Sequence, residues 1–406
     1  MDHAESPAHR PPWPVHTTVL RPWRSGQRGP RADRLVTAVT ASVPPRIAAA
    51  GWTPDVGTEQ LLAHAAHALR VLDAEHGHAL AGLSSLLVRT EAVTSSRIEL
   101  EQATIDDVAR ASVGGRANPS ATLVVRAGAA LGRLAAIAPG GTITESAVLD
   151  AHRVLMADDP VDGRYAGRWR DVQNWIGGGA SPRLASYVPP PADEVPALMA
   201  DLLAFAHRDD LHPIAQAALV HAQFASVHPF TDGNGRIGRA LVAAVLRCRG
   251  LGLRVTAPVA VVLAAERDRY FGLLEAYRTG PVDDLVRDLA IAIGTVCDEA
   301  TTTALLLAEH RAWLATLGLP AALAHVLGHE PFVSEDTLER LLPAGIEPTV
   351  TRLCGVGVLL PLTARRRDRV WRVVGVAAEL EAFVERVTDA VRARQVPLPA
   401  PVGACA

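Results

Sequence analysis

Two apolar helical runs, Pro213–Val227 and Arg236–Arg249, are joined by a short stretch that cannot itself be helical throughout. This arrangement constrains the chain more than any other feature. The stretch opens with His228-Pro229, where the proline stops the incoming helix, and passes through Gly233 and Gly235 straight into the next one. Closely spaced glycines let a backbone approach an anion, and the first N–H groups of the following helix point toward it. The segment HPFTDGNGRIGR also supplies Asp232 as a hard oxygen ligand for Mg²⁺, Asn234 as a donor, Arg236 and Arg239 as guanidiniums at i and i+3, and His228 as a titratable base. Such a set suits phosphoryl or nucleotidyl transfer, where catalysis is largely charge neutralisation and positioning.

Gly233, Gly235 and Gly238 have G-x-G-x-x-G spacing, but the context excludes a dinucleotide fold. No strand precedes the glycines, and no ribose-binding acid follows about 20 residues on. The chain contains no lysine: its 40 basic residues are all arginine. Walker-A, kinase, Schiff-base and Ser-x-x-Lys chemistries are thereby excluded, because each needs an ammonium group. With 43 acidic residues the net charge is −3, so no global field marks a nucleic-acid or membrane binder. The four cysteines are far apart and form no Cys-x-x-Cys pair, which predicts neither a disulfide framework nor a thiolate zinc site. Without an apolar leader or a run of 18 apolar residues, the expectation is a cytoplasmic protein with no membrane partner.

Helical periodicity recurs over Gln60–Leu87, Thr94–Ala111, Ala121–Ala138, from Thr144 to Met156, and over Glu194–His207. Residues 167–191, with three consecutive glycines and a proline triplet, predict a hairpin or flap followed by an extended segment. Beyond residue 318 come a short helix (Ala321–Leu327), a helix capped by Ser334, and a third after Pro348. Two apolar strands then flank ARRRDR, the layout of a winged helix, and a last helix runs from about Ala377 to Arg392. The expected fold is mainly α. Its expected divisions are a flexible segment 1–34, a helical region 35–115, a catalytic core 116–300, a linker helix 301–318, a winged-helix-like domain 319–393 and a flexible tail 394–406.

In residues 228–239 the chain resembles the Fic family, whose signature HxFx(D/E)GNGRxxR is met at every specified position. The resemblance implies an all-α core with a β-hairpin flap that moves AMP from ATP to a Ser, Thr or Tyr hydroxyl of a protein target or of the chain itself. On that basis His228 is the catalytic base and Asp232 holds Mg²⁺. Gly233, Asn234 and Gly235 form the anion hole, Arg236 and Arg239 hold the outer phosphates, and Phe230 anchors the loop. The flap would pair with an extended target segment, with Ile176 as its clamp. Upstream, Ser95 and Glu99 fit the (S/T)xxxE(G/N) pattern of the family's inhibitory helix, here expected over about 94–111, and Glu99 would occupy Arg239. Leu100 departs from that pattern. His221, His212 and the histidines at 76 and 78 are read as packing residues.

Two other functions share these residues. One is a winged-helix regulator with a nucleotide-sensing core, and the other is a Fic enzyme using a different phosphate-containing donor. The arginines from Arg365 to Arg372, Arg365, Arg366 and Arg367 among them, could follow a phosphate backbone from the wing. Seven arginines against six acids over 319–376 are a modest balance for a DNA binder, so DNA, a protein partner and a homodimer stay open.

Overall fold

The computed structural model describes residues 12–24, 30–76, 80–98, 103–112, 119–157, 159, 161–179, 181–363 and 368–395. Along the chain run β1 (Thr17–Pro22), α1 (Arg31–Arg34), β2 (Ala38–Val43), α2 (Val56–Glu75), α3 (Leu80–Ile98) and α4 (Ile105–Ser112). Then follow α5 (Pro119–Ala135), α6 (Glu145–Met156), β3 (Ile176–Gly177), β4 (Ala185–Tyr187), α7 (Val195–Ala206), α8 (Pro213–Val227) and α9 (Asn234–Cys248). The remainder comprises α10 (Ala260–Ala265), α11 (Arg267–Tyr277), α12 (Asp283–Thr316), α13 (Ala321–Leu327), β5 (Phe332–Ser334), α14 (Glu335–Leu341), α15 (Glu347–Gly355), β6 (Leu359–Pro361), β7 (Val370–Val373) and α16 (Val374–Gln395). Helix dominates, as the sequence predicts, and the strands form three small sheets.

The chain packs as two compact units that are interleaved in sequence. Residues 1–67, 126–253 and 268–291 make one, and residues 68–125, 254–267 and 292–406 make the other. These units are interleaved, whereas the divisions expected at 115, 300 and 318 are linear. Helix α12 runs unbroken for 34 residues across position 300. Its most apolar stretch is mostly buried within the protein.

In the first unit α8 is the central helix. Every residue except Pro213 and Ala225 is buried, and an all-round apolar helix must lie in a core. Helix α9 lies against it, and the approach is close at Gly238, where a Cβ would sit 3.0 Å from Phe224 and 3.3 Å from His221. Helix α6 begins at the N-cap Thr144, whose hydroxyl accepts from the Ala147 N–H at 3.1 Å.

The N-terminal segment, expected to be flexible to residue 34, is ordered structure where it is described. Strands β1 and β2 pair antiparallel from Thr17↔Val43 to Pro22↔Ala38. Ahead of them Trp13 is buried against Phe205 and Tyr277, with ring centroids 6.0 Å from each. The aperiodic sequence hid this because β1 is exposed along nearly its whole length and so lacks a core-facing alternation.

In the second unit the single helix expected over 94–111 is two helices. Ser95 is buried on α3, which starts at Leu80, whereas Arg110 and Ala111 belong to α4. Glu99 and Leu100 lie outside the described residues. Glu91 of α3 accepts from the Ala260 N–H at the start of α10 at 2.9 Å, and Arg267 donates to the Ile98 carbonyl, which fastens α3 to the segment 260–267. At the C-terminal end the sequence predicts two strands, but the sheet has three, in the order β5-β7-β6. Strand β5 spans only Phe332–Ser334, too short to show a period. The wing residues Arg365, Arg366 and Arg367 lie outside the described residues. Two other arginines of that run are engaged: Arg369 pairs with Glu335 and Glu347, both at 2.7 Å, and Arg372 with Asp106 and Glu381.

Candidate active site

The site lies in the first unit, on the loop between α8 and α9. Helix α8 ends at His228, which adopts φ 49° and ψ 58°. A left-handed residue at this position is a common helix stop, but glycine usually fills it, and a side chain there costs about 1–2 kcal/mol. Surrounding contacts hold the conformation. The His228 N–H donates to the Phe224 carbonyl at 2.9 Å, and the buried Arg170 donates through Nε to the His228 carbonyl at 2.8 Å. Arg170 Nη2 also reaches the Val227 and Pro190 carbonyls, its Nη1 the Val172 carbonyl, and its N–H the Pro229 carbonyl. A cation at the carbonyl end of a helix is electrostatically favoured. Burial lowers the Arg170 pKa to about 10, which leaves it charged at neutral pH.

Beyond Pro229 the loop is fixed by aromatic packing. The fully buried Phe230 ring stacks on His152 of α6, with centroids 3.6 Å apart and planes 6° from parallel, and Trp169 lies 5.0 Å away. His152 Nδ1 accepts from the Gly167 N–H at 3.0 Å, so the ring proton sits on Nε2, which donates to the Asp232 carbonyl at 3.1 Å. Burial is the main reason its pKa falls to about 4, and this bonding pattern needs the neutral ring. Asn234 closes the turn: its Oδ1 accepts from the Phe230 N–H at 2.9 Å, and its Nδ2 donates to the Phe230 carbonyl at 2.8 Å.

Gly233, at φ 79°, caps α9 and is the position where glycine is required. A Cβ there would lie 2.8 Å from the buried Leu155. Helix α9 starts at once, Ile237 N–H to Gly233 carbonyl being 3.0 Å, so the preceding N–H groups of its first turn have no acceptor within the helix. Gly235 and Arg236 lie in that turn. Arg236 is 7% exposed; its Nη2 donates to Asp232 Oδ2 at 2.9 Å, while its buried Nε and Nη1 have no hydrogen-bond partner among the described residues. Two unsatisfied donors on a buried cation are costly unless an anion meets them. Arg239, one turn on, is 2% exposed. His228 is half-buried and Asp232 exposed.

The structure therefore brings together His228, Asp232, Gly233, Asn234, Gly235, Arg236 and Arg239. Ile176, 38% exposed, stands apart on β3 of the flap, where it pairs with Tyr187 of β4. His221 is a packing residue, as expected: it is buried, bonded to the Tyr270 hydroxyl at 2.9 Å, and its pKa falls to about 4 through burial. His212 is the side-chain N-cap of α8.

Three residues that shape the loop escaped the sequence reading. His152 and Arg170 act across 80 and 58 residues of chain, and nothing local signals either. Asp162 is the third. It opens a short 3-10 turn without capping it, and burial followed by the charge of Asp232 raises its pKa. The Thr231 hydroxyl is near enough to favour its anion, though not at full hydrogen-bond geometry. Among the described residues no three metal-ligating side chains converge.

The Fic/DOC family pattern matches residues 142–246, the stretch that runs from α6 through the flap to α9. The protein adenylyltransferase Fic of Drosophila virilis is 32% identical over 152 residues, 36% of this chain and 28% of that protein. Its Drosophila melanogaster counterpart is 32% identical over 152 residues, 36% of this chain and 27% of the relative. The match thus spans little more than a quarter of the length of these relatives. A crystal structure of a Fic family protein from Desulfovibrio desulfuricans G20 aligns with a TM-score of 0.55 at 23% identity, over 79% of this chain and 97% of that one, a likeness of fold. The loop built on His228, Gly233 and Asn234 lies inside the residues that match the Fic/DOC family pattern.

Proposed function

We propose that the chain is a Mg²⁺-dependent protein adenylyltransferase that moves AMP from ATP to a Ser, Thr or Tyr hydroxyl of a protein. The observation that carries this reading is the buried Arg236, with two unpartnered donors at the start of α9, one turn from Asp232 and on the same loop as His228. Such a pocket of donors suits the phosphate chain of a nucleotide. Asp232 would hold Mg²⁺, and the metal would neutralise phosphate charge. Gly233 admits close backbone approach, and Arg236 and Arg239 would hold the outer phosphates.

In the reaction the target's hydroxyl oxygen attacks the α-phosphorus, the bond from that phosphorus to the oxygen bridging to the β-phosphate breaks, and pyrophosphate leaves. The hydroxyl proton passes to His228. With Nδ1 toward the Ala225 carbonyl at 3.4 Å, the tautomer protonated there offers Nε2 as the base. The flap would receive an extended target segment along β3, with Ile176 against it. The spacing of Ser95 and Glu99 supports autoinhibition by the chain's own helical region around 94–111, so that Glu99→Gly raises labelling.

ATP labelled on the α-phosphate, incubated with the protein and a cell lysate, tests the reading. Label should remain on protein, and His228→Ala should lower its transfer by at least about 100-fold with ATP binding nearly unchanged. Label arriving only from the γ-phosphate would overturn adenylyl transfer, and wild-type rates in His228→Ala would remove the base.

A further inference from the structure

The flap of the first unit is weakly built by itself. Its strands share two paired positions with a register irregularity between them, and Gly177, Gly178 and Gly179 all adopt positive φ. Inside it, Trp175 Nε1 donates to the Gly179 carbonyl and the Ser186 hydroxyl to the Ile176 carbonyl. An isolated two-stranded hairpin of this kind is marginal in water.

The N-terminal segment grips it at three places. Trp23, just past β1, stands edge-on to Trp175 with ring centroids 6.0 Å apart and planes at 87°. Asp33 of α1 accepts from Arg183 Nε at 2.9 Å, and the hydrogen bonds of Arg183 and then Ser181 hold its carboxyl below the usual range. The Ser42 N–H of β2 donates to the Val188 carbonyl at 2.9 Å. These partners lie immediately before β3, in the bend that leads into β4, and immediately after β4, so both strands are held.

At its other end the segment is fixed to the core. Trp13 packs on Phe205 and Tyr277, the His16 N–H donates to the Arg278 carbonyl at 3.0 Å, and the His16 ring bonds to Ser42 at 2.9 Å. The segment is thus a strap between the core and the hairpin, acting alongside Tyr187 of β4, whose buried hydroxyl donates to the Ser226 carbonyl at 2.6 Å.

We propose that Trp23 and Asp33 are positioning residues for the protein target: they hold β3 in the shape that pairs with the target's backbone, and they touch neither nucleotide nor reacting atoms. This rests on the reading above that the flap receives the target. The aromatic contact and the ion pair are each modest, so their loss should speed opening of the flap by about two- to tenfold and leave the loop at 228–239 undisturbed.

Hydrogen exchange of residues 174–187, ATP titration, and transfer from α-labelled ATP to lysate proteins over a dilution series test the proposal on the full chain. Trp23→Ala and Asp33→Arg should each accelerate flap exchange by about two- to tenfold. Each should raise the apparent KM for lysate protein by a similar factor, with kcat and ATP affinity unchanged. Arg183→Asp added to Asp33→Arg should restore both readouts. Unchanged flap exchange in both single variants, or no rescue by the exchanged pair, overturns the strap. Faster exchange with an unchanged KM would overturn its role in target capture and leave adenylyl transfer standing. No labelling by the unaltered chain would count against the transferase reading itself, and exchange would then judge the mechanical strap alone.

Discussion

Replacing Asn234 with alanine tests whether the loop's shape depends on one side chain closing it onto Phe230. Asn234 is buried and makes two bonds to the same residue, accepting from its N–H and donating to its carbonyl. The amide orientation follows from the partners, because the flipped form would set donor against donor and acceptor against acceptor. Alanine leaves the buried Phe230 N–H without that acceptor, at about 1–3 kcal/mol, and removes one bond to the carbonyl, at about 0.5–1.5 kcal/mol. The expected loss is about 1.5–4.5 kcal/mol.

Asn174 provides the internal control. It donates to the same Phe230 carbonyl at 2.8 Å, but its own Oδ1 is buried without a partner. Asn174→Ala therefore removes a bond and an unsatisfied acceptor together, leaves the carbonyl its bond from Asn234, and should cost under about 1 kcal/mol. Because the two side chains share an acceptor, the double variant should lose more than the sum of the singles. Urea unfolding gives the stabilities, and hydrogen exchange at the Phe230 amide reports the site directly. Equal losses in the two single variants, or an unchanged Phe230 exchange rate in Asn234→Ala, would refute the reasoning.

Gly233→Ala should destabilise the protein by about 2–4 kcal/mol, adding left-handed strain to a Cβ placed 2.8 Å from Leu155, and a loss below about 1 kcal/mol in denaturant titrations would mean the turn relaxes. Arg170→Met should cost about 2–6 kcal/mol by withdrawing donors from four carbonyls, and Arg170→Lys should recover only part, since an ammonium cannot reproduce the fork; full recovery by lysine in the same measurement would leave charge alone as the cause. His16, His152 and His221 each have a pKa of about 4 in the folded protein, below the unfolded value, chiefly through burial. Between about pH 6.5 and 4 the unfolded chain therefore binds more protons, so stability should fall on acidification through that window by up to about 1.4 kcal/mol per pH unit for each histidine, and a flat profile from pH 7 to 4.5 would contradict the buried neutral rings.

The sequence by itself determined whatever a single turn or a short period can encode. The runs that became α6 to α9 announce themselves by apolar spacing, and the cap Ser334 by a hydroxyl that accepts from the N–H three residues on. The stop at His228-Pro229 and the glycine-opened start of α9 are written in adjacent residues, so the helix–loop–helix that carries the candidate site was legible at once. Tertiary structure decided what that loop rests on. The ring stacked on Phe230 comes from α6, and the guanidinium that holds the end of α8 comes from the segment before the flap. The strap over the flap comes from residues whose pattern gave no strand. It also decided the interleaved units, because helix α12 continues through position 300, where composition suggested a boundary. The physical reason is range: periodicity and capping act within about four residues, whereas burial, stacking and a buried cation's choice of carbonyls join segments far apart that meet only once the chain has folded.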